Sequence, residues 1–167
     1  MKKIIASFLF FLCISTFHSL TVSAQVTLPS LKISGEVNNA VTLNSEDLAK
    51  MPHTNVMVKS RDGKENNYSG VAIQDLFALA GVSTGRDLSG ENLSKYVIVK
   101  CADGYEVVFS LAEMDSSYTD RKIILADAMN NKPLSNQKGP FQLAVPGEKR
   151  PARSCSQVIE FIIRYAK

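Results

Sequence analysis

Apolar and polar positions alternate along much of this chain, and a two-residue period marks half-buried strands. In "LKISGEV", 31–37, Leu31, Ile33 and Gly35 alternate with polar partners and predict a first strand. "VTLNSEDLAKMP" reads as a short strand followed by a short helix. Asn44 or Ser45 stands at the capping position, Glu46 and Asp47 fill the first turn, and Pro52 lies just past the end. "TNVMVKS" resumes a strand, "RDGK" at 61–64 turns the chain, and "ENNYSG" returns it as the other arm of a hairpin.

The period lengthens at "GVAIQDLFALAGV". Ile73, Leu76, Phe77 and Ala80 fall at i, i+3, i+4 and i+7, one apolar helix face, and Gly81 is placed to end it. A polar connection, "STGRDLSGENLS", leads to the strand "KYVIVKC". An Ala-Asp-Gly turn reverses it into "YEVVFS", with Asp103 and Gly104 suiting a two-residue hairpin turn of positive φ. "LAEMD" suggests a helical turn, "RKIILADAM" and "FQLAVP" two strands with the turn "NNKP" between them, and "SQVIEFIIRYA" a final strand. About eight strands with two or three short helices make an α+β domain with a mainly antiparallel or mixed sheet. The helices do not alternate regularly with the strands, which argues against a doubly wound sheet, and no Gly-x-Gly-x-x-Gly or Walker motif supports nucleotide binding.

The ends change the picture of where the chain works. Lys2 and Lys3 precede the apolar run "IIASFLFFLCISTF", and Val22-Ser23-Ala24 offers small or apolar residues for cleavage, so residues 1–24 read as an export signal cut after Ala24. The remaining residues, 25–167, suffice for one domain in a periplasmic or secreted setting. Without the two leader lysines the 19 basic side chains fall to 17 against 16 acidic ones. No basic excess remains to neutralise nucleic-acid phosphates.

After cleavage only Cys101, Cys155 and His53 remain of their types, too few for a familiar zinc or copper cluster. His53 follows a proline in "KMPHTNV" and reads as a surface histidine at a strand entrance. Cys101 ends an alternating strand on the face of Val97 and Val99, and Cys155 begins the last one. A disulfide between them, a buried pair of free thiols, and a metal or redox role for Cys101 stay open as alternatives.

The ordered motifs "GVAIQDL", "CADGY", "NNKPL" and "GPFQLAVPG" carry a resemblance to the oxidoreductase molybdopterin-binding domain, the sulfite-oxidase-type fold, over residues 31–164. The resemblance implies a molybdenum-binding cysteine just before the "GVAIQDL" helix. This chain has "VMVKSRDGKENNYSG" there, with Ser60 as the nearest equivalent. A serine hydroxyl is harder and far less acidic than a thiolate, a poor replacement. The leader also looks like a general secretion signal rather than the twin-arginine type that the family's loaded enzymes use.

These departures point to a member working without molybdenum, a binding or accessory module for a small anionic ligand or a periplasmic partner protein, with no cofactor. The alternative is a molybdopterin-dependent oxidoreductase. Lys149, Arg150 and Arg153 in "PGEKRPARS" supply anion donors near the implied pocket, and Tyr105 a further hydrogen-bond donor.

Overall fold

Two five-stranded sheets, rather than one, take up the alternating segments. The structure is a computed structural model and describes residues 29–166, so the expected leader lies outside the described residues. In chain order the elements are β1 (Ser30–Gly35), β2 (Val41–Asn44), α1 (Ser45–Ala49), β3 (His53–Lys59), β4 (Glu65–Ala72) and α2 (Ile73–Leu79), followed by β5 (Lys95–Cys101) and β6 (Glu106–Ser110). After these come β7 (Ile124–Met129), β8 (Lys132–Pro133), β9 (Gln142–Ala144) and β10 (Val158–Tyr165).

The first sheet runs β2-β1-β10-β5-β6, with β1 and β10 parallel and the other neighbours antiparallel. The second runs β3-β4-β7-β8, with β9 also paired to β7. All its pairs are antiparallel. The domain is therefore α+β with mixed pairing, as the pattern implies.

Local chemistry explains the element ends. Asn44 caps α1 by accepting from the backbone of Glu46 and Asp47, while Asp47 returns a bond to the Asn44 backbone, a complete capping box. Helix α2 buries Ile73, Leu76 and Phe77 as its spacing predicts, and Phe77 meets Phe161 of β10 edge-to-face at 5.7 Å. The predicted helix begins later than its motif, because Gly70, Val71 and Ala72 still belong to β4. At Gly70 the backbone of β4 comes close to β7: a Cβ there would lie 2.1 Å from the Leu125 carbonyl oxygen. The turn after β5 also differs from expectation. Among its residues only Gly104 has positive φ, and Asp103 instead accepts a bond from the Tyr105 backbone through its side chain.

One large core joins the two sheets through Leu31, Ile33, Val97, Val99, Leu125 and Phe161. A smaller cluster, Val56, Val58, Tyr68, Ile124, Ala126 and Ala144, covers the opposite face of the second sheet. Burial on both faces removes the apolar–polar alternation from Ile124–Ala126 of β7 and from Leu143 and Ala144 of β9.

Candidate functional site

The smaller cluster does not close over completely. Where Val58, Tyr68 and Gln142 meet the ends of β5 and of the segment entering β10, a cavity of about 470 Å³ opens, with Cys101 and Cys155 in its wall. It shares Lys59, Ser60, Arg61, Pro151 and Ala152 with a second lobe of about 490 Å³ that reaches Lys149 and Arg150. The two lobes form one groove between the β3–β4 turn and the loop before β10.

Ser60 sits at the start of the tight β3–β4 turn, where its backbone N–H donates to the Lys64 carbonyl at 2.8 Å. Its hydroxyl accepts from Asn66 Nδ2 at 2.6 Å. The turn sets Lys59 and Arg61 on either side of it, both exposed. Tyr105 projects from the β5–β6 turn, and its hydroxyl donates to the Ala152 carbonyl at 3.1 Å, tying that turn to the opposite wall. Lys138 places its ammonium 6.0 Å over the Tyr68 ring.

Arg153 departs from its expected role as an anion donor. It does not line either lobe. Its Nε donates to Glu148 Oε1 at 2.8 Å, its Nη1 lies 3.2 Å from Glu113 Oε1, and its guanidinium stacks 4.2 Å over the Phe109 ring. Glu113 in turn caps the turn Leu111–Met114 by accepting from the Ser110 backbone. The carboxylates of its own surroundings occupy this arginine, and it fastens the loop before β10 to the turn after β6. Among the described residues Lys149 and Arg150 carry no such ties.

The groove's charge is lopsided. Lys59, Arg61, Lys138, Lys149 and Arg150 line it against the single carboxylate of Asp103. Among the described residues none of the five cations makes a salt bridge. Gln142 adds a different signal: it is 5 % exposed, and its side-chain oxygen is buried without a hydrogen-bond partner among the described residues. An orphaned acceptor in a cavity wall is costly unless a ligand or water supplies the donor. A larger cavity of about 730 Å³, between β7 and the 131–141 loop, has Asp127 beside Lys132 and no thiol, and therefore lacks a comparable charge preference.

Sequence reasoning singled out Ser60, Tyr105, Lys149 and Arg150, and the structure gathers all four in this groove. It missed Lys59, Arg61, Lys138 and Gln142. The first two were legible as basic neighbours of Ser60; Lys138 and Gln142 carry no local signal, because the β7–β9 pairing brings Gln142 to the site and the Lys138 carbonyl is held by the distant Gln157 N–H.

Cys101 and Cys155 are both free and buried. Both line the wall of the same cavity, and each bears on the other's ionisation. Burial raises the Cys101 thiol above its ordinary range, with Cys155 opposing and Asp103 reinforcing the shift. Burial raises Cys155 much further, and the neighbouring Cys101 adds to it.

The donor set fits the organic, anionic part of a pterin cofactor better than its metal. The lysines and arginines suit a phosphate. At the expected metal-ligand position, Ser60 presents an alcohol already engaged by Asn66, and burial raises both thiols above their ordinary range. Among the described residues no three His, Cys, Asp or Glu side chains converge as a metal cage.

The fold is similar to that of the sulfane dehydrogenase SoxCD from Paracoccus pantotrophus, at 21% identity and a TM-score of 0.65. The match covers 83% of this chain and 38% of that one, so this chain spans well under half the length of its structural relative. No curated protein matches the sequence. The family model for the oxidoreductase molybdopterin binding domain matches residues 60–149, beginning at Ser60 and covering more than half of the chain. This chain belongs to the oxidoreductase molybdopterin binding domain family.

Proposed function

We propose that the domain binds a small organic anion in the groove between Ser60 and Arg150 and serves as a binding or accessory module without a molybdenum centre. One observation carries this: five cations without salt-bridge partners among the described residues face one carboxylate around a cavity that Gln142 also lines. An anion entering there gains charge-assisted hydrogen bonds without first breaking ion pairs, so little of the attraction is spent on rearrangement. The module acts in the periplasm or outside the cell, alone or beside a periplasmic partner protein.

A molybdopterin-dependent oxidoreductase of the sulfite oxidase type is the second reading. Family membership and the two thiols in the same cavity favour it, and Cys101 rather than Ser60 would then meet the metal. SoxCD, the structural relative, is a sulfane dehydrogenase.

Calorimetric titration of the purified protein with inorganic pyrophosphate tests the leading reading. Saturable one-site binding that weakens as salt is added is expected, because the exposed cations are screened. Absence of binding at low salt would remove the anion groove as the functional site.

A further inference from the structure

Cys101 and Cys155 come from different stretches of the chain, and the sheet brings them together. Cys101 ends β5 opposite Val158 of β10, and the next residue, Ala102, donates its N–H to the Gln157 carbonyl at 2.9 Å. On the other side, the Leu143 N–H donates to the Cys155 carbonyl at 2.8 Å. Three strands thus hold the two backbones that carry the thiols. Both side chains border the cationic cavity, at 3 % and 5 % exposure. Two thiols held in one cavity wall by paired strands stand one two-electron step from a disulfide.

We propose that Cys101 and Cys155 form a thiol–disulfide exchange site whose substrate is a small anionic disulfide of the glutathione disulfide class. The preference for an anionic substrate rests on the anion-binding groove described above; the exchange chemistry does not. Glutathione disulfide carries net negative charge, and Lys59, Arg61 and Lys138 line the cavity that leads to the thiols.

The reaction balances without any further reactant. Cys101 loses its proton to solvent and its thiolate attacks one sulfur of the substrate, forming a mixed disulfide. The first glutathione leaves as a thiolate and takes up a proton. Cys155 then loses its proton and attacks the Cys101 sulfur, closing the protein disulfide and releasing the second glutathione, which is protonated in turn. The protein dithiol is oxidised by two electrons and the substrate disulfide is reduced to two thiols.

Cys101 is the entry thiol: it ends β5 beside the exposed β5–β6 turn, whose Asp103 and Tyr105 line the same cavity.

The test incubates the reduced protein in glutathione buffers of graded redox ratio, quenches with acid, alkylates, and weighs the intact protein and its peptides. The expected result is loss of two hydrogen atoms with a peptide cross-link between Cys101 and Cys155, reversed by excess glutathione. Cys155→Ser is expected to stop at a mixed disulfide on Cys101. At low salt, glutathione disulfide is expected to react several-fold faster than neutral hydroxyethyl disulfide, a difference that salt abolishes. Wild-type protein that stays fully reduced with both disulfides overturns the exchange site, whatever the variant does. Equal rates for the two disulfides overturn the anionic substrate class and count against the groove, while leaving the exchange site standing.

Discussion

The Nε of Arg153 donates to Glu148 Oε1 at 2.8 Å, so an arginine lying among loop cations is spent inside the protein. The same guanidinium reaches Glu113 and covers Phe109, and Arg121 joins the two carboxylates from the other side. Arg153→Ala leaves Glu148, whose side chain is only 12 % exposed, without its closest partner. The variant is expected to lose about 1–3 kcal/mol of stability in urea unfolding, while pyrophosphate affinity falls by less than about twofold if the loop keeps its path.

Lys149 and Arg150 should behave in the opposite way. Both are exposed, neither has an ion-pair partner among the described residues, and both line the outer lobe. Replacing the two by alanine is expected to weaken pyrophosphate binding roughly tenfold at low salt, since each exposed charge contributes up to about 1 kcal/mol. The unfolding midpoint should barely move, because surface substitutions usually stay within about 0.5 kcal/mol. Parallel calorimetry and thermal melts of the two variants separate binding cations from the structural one.

His53 bridges Met51 and Asp127, with Nδ1 2.8 Å from the Met51 carbonyl and Nε2 2.9 Å from Asp127 Oδ2. Two acceptors around one ring favour the imidazolium, and the side-chain bond to Asp127 raises its pKa most, followed by the Met51 carbonyl. A raised folded pKa makes this contribution complete below the unfolded value of 6.5 and removes it as pH rises through the folded pKa. Wild type is therefore expected to lose up to about 1 kcal/mol relative to His53→Gln between about pH 6 and 9. Urea unfolding of both proteins across that range measures the difference.

Gly70→Ala probes the close approach of β4 to β7. The new methyl would overlap the Leu125 carbonyl and sit 2.5 Å from the Ala126 Cα, both backbone atoms that cannot swing aside. A loss of about 2–4 kcal/mol is expected in urea unfolding. The lesion would also loosen the strand hairpin that carries Ser60.

Elements governed by neighbours in sequence were readable without coordinates. The α2 face follows from the spacing of Ile73, Leu76 and Phe77, and the α1 start from Asn44 and Asp47. What escaped was set by distant partners. The parallel pairing of Ile33 with Phe161 builds the first sheet from both ends of the described chain, and no local pattern encodes it. The division into two sheets, with β7 and β9 buried on both faces, likewise depends on long-range register. The site shows the same split. Ser60 and the 149–150 cations were visible as chemistry, whereas the fate of Arg153 depended on carboxylates at Glu113 and Glu148, one of them forty residues away. The meeting of Cys101 and Cys155 was one alternative among several until β5 and β10 were paired.

The central claim is an anion-binding groove without a molybdenum centre, and composition of the protein isolated from its own host tests it most directly. Molybdenum and pterin content should be measured on the folded protein, with native mass spectrometry on the same sample and on the Lys149→Ala, Arg150→Ala double variant. Negligible molybdenum, together with a small anionic adduct that the double variant loses, is the result this account requires. Molybdenum near one atom per chain, with a pterin released on denaturation, would contradict it and make Cys101 the first ligand to mutate.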